Sequence, residues 1–213
     1  MDEQVLPVEL AEEDGARADC YAVVSRLFYA PPDAELLASL SAEPAPGDSA
    51  EAVGGEHDPL AKDYARAFAA LRDACRSADA AALRQEYDDL FIGAGKALVS
   101  PYTSAYAAPQ APDRHLVALR EHLAAWGLAR RASVFEVEDH VSAVCDGMRW
   151  LIASNRPLAE QRRFFDDFVF TGVVVFCGAI KASAPASFYR SVAAFAHAFV
   201  AIENDAFTLH SGE

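Results

Sequence analysis

Apolar positions recur along most of this chain at three- and four-residue spacing, the period of one face of an α-helix. Cys20, Val24, Leu27 and Phe28 make the first such stripe, and Pro31-Pro32 ends it because a proline ring bars continuation of the helix. Asp33 then stands at an N-cap position before Leu36, Leu37 and Leu40. Residues 42–59 (AEPAPGDSAEAVGGEHDP) carry Pro, Gly and acid without a period and are predicted to form a flexible loop. Helices are predicted from Leu60 to Ser77, from Ala80 to Phe91, and around Leu116, Leu119, Leu123 and Trp126.

The clearest stripe is Val137, Val141, Val144, Met148, Leu151 and Ile152, preceded by Ser133 and Glu136 at capping-box spacing. The helix predicted there carries Glu138-Asp139-His140 near its start. At 100° per residue His140 falls roughly 60° from the centre of the stripe and flanks the buried face. Residues Glu160 to Lys181 predict one central helix, apolar nearly all round in its second half. Val173-Val174-Val175 suits a strand, but no partner strand is visible, so it reads as helix. Phe188, Val192, Phe195, Phe199 and Ile202 form a last stripe ending near Glu203, and residues 204–213 read as a polar tail. The pattern predicts an all-α chain: a single bundle-like domain over residues 1–213 with about eight or more helices and no sheet.

Composition narrows the function. The chain has 213 residues, 53% hydrophobic and 23% charged, which suits one globular unit. With 32 acidic and 18 basic residues, its net charge of -14 argues against a nucleic-acid partner, because such binding is driven by Lys and Arg releasing counterions. The same charge would steer a basic partner. Four cysteines lie far apart with no CxxC pair, which supports neither structural zinc nor a disulfide framework. The N-terminus is acidic and has no uninterrupted apolar core, unlike a secretory signal. The most apolar run, Phe168 to Ile180, falls short of the ~18 residues needed to span a bilayer. A cytoplasmic protein without stable membrane insertion is expected.

Candidate chemistry is sparse. FIGAGKALVSPYTSAY, residues 91–106, places Gly93, Gly95 and Lys96 as a nucleotide loop might be sought. The P-loop pattern asks for glycine where Leu90 stands and for a hydroxyl where Ala97 stands, and it follows a strand rather than a helix. None of the six histidines has a carboxylate three residues before it, as a helical di-iron site requires, and there is no HExxH or GxSxG. No catalytic residue, metal ligand or cofactor is expected.

Two segments carry a resemblance. EYDDLFIGAGKALVSPYTSAY, residues 86–106, and EDHVSAVCDGM, with its Asp139-His140 pair, resemble the TorD/DmsD-type chaperones, relatives of NarJ that mature molybdenum-containing oxidoreductases. LFYAPPDAELLASL, the Phe164-Phe165 pair and FYRSVAAFAHAFVAIE are weaker echoes in the same order. Two departures are Val137, where the family often has proline, and Thr171-Gly172, where it often has Pro-Trp.

The resemblance implies an all-helical, non-catalytic protein. Such a protein binds the twin-arginine leader, the apo form, or both, of a molybdenum oxidoreductase catalytic subunit until cofactor insertion and before export. A leader has a basic end and an apolar core, so its receptor needs an apolar groove with carboxylates near one end. The residues this implicates are Glu86, Tyr87, Leu90, Phe91, Gly93, Ser100, Pro101, Tyr102, Ser104, Tyr106, Glu138, Asp139 and His140. Leu90, Phe91, Pro101, Tyr102 and Tyr106 would give apolar surface, and Glu86, Glu138 and Asp139 would face the arginines. Monomer and homodimer both fit. The competing class is a helical adaptor that binds a folded partner.

Overall fold

The structure is a computed structural model that describes residues 10–42, 58–93, 97–128 and 137–209. Its helices are α1 (Glu12–Tyr29), α2 (Ala34–Ala42), α3 (Pro59–Arg76), α4 (Ala80–Tyr87), α5 (Ser104–Ala107), α6 (Pro112–Ala125), α7 (Val141–Ala153), α8 (Leu158–Phe164), α9 (Phe170–Ala182) and α10 (Phe188–Leu209). Wider π-helical turns extend α4 over Asp88–Ile92 and join α8 to α9 over Phe165–Val169. The fold is all-α. Among the described residues the one β-type feature is an isolated antiparallel bridge between Tyr102 and His140. No described helix is long and apolar enough to cross a membrane.

Local chemistry sets the helix ends. Asp33 accepts the Leu36 N–H at 2.8 Å, as its position predicts, and Asp58 and Asp79 cap α3 and α4 in the same way. Packing then follows the stripes. The broadest helix contact is α1 on α7, with α10 against α3 and α9 beside it. Where α1, α4, α9 and α10 meet, Phe28, Phe91, Phe176 and Tyr189 form a ring cluster. Phe28 and Phe176 stand edge to face at 4.9 Å, and Phe91 and Tyr189 do so at 5.1 Å. At the far end Arg17 donates to both carboxylate oxygens of buried Glu203, at 2.8 and 3.0 Å. The Tyr21 hydroxyl adds a third bond to that carboxylate, tying α1 to α10.

Three expectations are corrected. Glu138-Asp139-His140 lies before α7 rather than in its first turn, because the backbone there pairs with residues 101–103 and His140 itself is the cap. Ser133 and Glu136 fall outside the described residues. The helix predicted over 160–181 is interrupted by a π-turn, which shifts the register so that Phe164, Phe165, Phe168 and Val169 are all buried. Residues 204–209 are helix rather than tail: Phe207 is buried against Phe165 at 5.1 Å, and Arg162 donates to the Phe207 carbonyl. Most of the predicted 42–59 loop, residues 43–57, lies outside the described residues.

Candidate functional site

Residues 100–104 are clasped to residues 139–142. Thr103 N–H donates to the Asp139 carbonyl at 2.8 Å, and Val141 N–H donates to the Pro101 carbonyl at 2.8 Å. The Thr103 hydroxyl reaches the same Asp139 carbonyl, while the Ser104 hydroxyl donates to the Asp139 side chain. Across the bridge the Tyr102 and His140 rings meet edge to face at 5.7 Å. His140 Nδ1 accepts the Ser142 N–H, so a neutral ring carries its proton on Nε2, and the Ser142 hydroxyl sits 2.7 Å from the same nitrogen. The Tyr106 hydroxyl closes the loop by donating to the Ser100 carbonyl at 2.9 Å, and burial raises its pKa.

Close approach of α9 supports the clasp from behind. A Cβ built on Gly172 would lie 2.6 Å from the Thr103 Cβ and 3.3 Å from its Cα, so only glycine leaves Thr103 room. Asp139 and His140 are 3% and 2% exposed, and Asp139 Oδ1 has no hydrogen-bond partner. His115 Nε2, on α6, is likewise buried without one. Its pKa is lowered by burial and pulled back by the charges of Asp139 and Asp167.

The other residues singled out in the sequence have varied surroundings. Leu90 and Phe91, expected as apolar surface, are 0% and 6% exposed and belong to the core. Tyr87 is buried too, and its hydroxyl donates to the carbonyls of Phe28 and Tyr29. Glu86, expected to face arginines, instead accepts the backbone N–H groups of Ser187, Phe188 and Tyr189 and caps α10. Gly93 takes φ 64°, closing the π-turn by donating its N–H to the Asp88 carbonyl at 2.7 Å. Residues 94–96 are outside the description. Ser100, Pro101, Tyr102 and Tyr106 remain half-buried, as does Glu138, which holds Arg120 of α6 at 2.9 Å.

Beside Glu138 opens a groove of about 770 Å³, between the end of α1, the start of α2, the end of α6 and the start of α7. Tyr29, Pro31, Leu36, Leu123, Leu128 and Val137 give it apolar walls, and Tyr29 is 54% exposed. Asp33, Glu138 and Asp146 supply carboxylates, and Arg26 and Arg149 supply guanidiniums. Sequence reasoning missed most of this lining. The available signal was LFYAPPDAELLASL, where an aromatic residue precedes a helix-stopping proline pair. The clasp and the groove share the start of α7: the Ser142 N–H that caps onto His140 belongs to a groove-lining residue. Among the described residues no group of three or more His, Cys, Asp or Glu is placed to hold a metal ion.

The fold and site together are those of an all-α chain with an apolar groove lined by both carboxylates and guanidiniums. The family model for the nitrate reductase delta subunit matches residues 57–177, more than half of the chain, and the protein belongs to this NarJ-related family of redox-enzyme maturation chaperones. The family is one of chaperones for molybdoenzymes, with a nitrate-reductase-like subunit as partner, rather than of enzymes. No curated protein matches the chain.

Proposed function

We propose that the protein is a cytoplasmic maturation chaperone that holds the leader, and with it the apo form, of a molybdenum oxidoreductase catalytic subunit until cofactor insertion. The observation that carries this reading is the groove. It offers apolar and aromatic walls for a leader's core and carboxylates for its basic end, on a chain of net charge -14. Within it Glu138 faces the leader, while half-buried Pro101 and Tyr102, which do not line the groove, offer the client apolar contacts outside it. Asp139 and His140 act from beneath by fixing the turn that presents Glu138.

The test is capture from the native host under gentle purification of the tagged protein, with mass spectrometry of the bound polypeptides. A molybdoenzyme catalytic subunit with its leader still attached is the expected catch. Recovery of mature, folded proteins alone would replace this reading with that of an adaptor.

A further inference from the structure

The groove has three carboxylates, and two are already engaged. Glu138 holds Arg120, and Asp33 caps α2. Asp146, one helical turn beyond Ser142 on α7, lines the groove near the hydroxyl of buried Ser25. No arginine or lysine among the described residues forms an ion pair with it, although Arg149 on the same helix acts on it from further away. Asp146 is exposed to the groove, whose walls partly desolvate it and raise its pKa, while the Ser25 hydroxyl and Arg149 pull it back.

We infer that Asp146 is the specificity-determining carboxylate of the groove, the group that accepts a basic side chain of the bound client segment. This rests on the proposed chaperone reading and deepens it. A guanidinium fits this place best because it forms paired, charge-assisted hydrogen bonds to a carboxylate and is weakly hydrated. Arg26 and Arg149 line the same groove and would instead suit an acidic segment. The overall charge of -14 opposes the approach of one, which decides for a basic client.

The experiment is a fluorescence-anisotropy titration with two synthetic peptides, sharing an apolar segment and beginning with either two arginines or two glutamines. Wild-type protein should prefer the arginine peptide. Asp146→Asn should weaken that peptide about tenfold, leave the glutamine peptide unchanged, and melt no lower than wild type at neutral pH. Preference for arginine that survives in Asp146→Asn, or an equal loss for both peptides, overturns the inference while leaving the chaperone reading in place. A wild-type protein that binds neither peptide, or binds the glutamine peptide better, overturns both.

Discussion

Gly172 and Thr103 show how much of the site depends on single atoms. The clasp can lie against α9 only because residue 172 lacks a side chain, and the nearest Thr103 atoms include backbone. Gly172→Ala therefore forces either α9 or the 100–104 loop to move, at a cost of about 1–3 kcal/mol in a chemical denaturation curve. The same substitution should leave far-ultraviolet helix content at or near wild type, because alanine favours helix. A loss below 0.5 kcal/mol, on the scale of an ordinary surface change, would mean that the loop is not seated as described. Sequence alone could not show this contact, since residues 103 and 172 belong to no common periodic pattern. The Asp139-His140 pair was legible as a polar cluster beside the apolar stripe. Its role was not, because the Ser104 and Thr103 partners lie 35 and 36 residues away.

Helices were the most legible features. Stripes spaced three and four apart placed α1, α3, α6, α7, α9 and α10, and Asp33 marked the start of α2. What failed were ends and interruptions settled by distant partners: the π-turn that re-aims the Phe164–Val169 ridge, the start of α7, and the continuation of α10 to Leu209. Glu86 belongs to the same class. The resemblance made it an acid facing a leader's arginines, yet it satisfies three N–H groups at the start of α10. Glu86→Ala should lower the unfolding free energy by about 1–2 kcal/mol and leave peptide affinity at the wild-type value. A weakened client complex with unchanged stability would return Glu86 to the binding surface.

Among the described helices, a packed frame contrasts with the lightly held α6. Helices α1, α7, α9 and α10 bury aromatic and β-branched side chains along much of their length, whereas α6 buries only Leu119 fully. Its other anchors are half-buried rings, Trp126 on Trp150 at 5.9 Å and His122 on Phe168 at 5.0 Å, and the Arg120–Glu138 ion pair. Amide hydrogen exchange should be faster in α6 than in α7 or α10, reflecting a lower local opening free energy. Equal protection across the three would show that α6 is part of the frame. Because the clasp joins residue 101 to residue 141, α6 hangs within a closed segment whose two ends are pinned at one place. It lines the groove through Leu123, and the firmly packed α7 lines it through Asp146. If the groove holds a client as proposed, a wall that yields would read shape loosely and a charge on a fixed one would read sign strictly. Such a groove would tolerate varied apolar sequence and be exacting about where the positive charge stands.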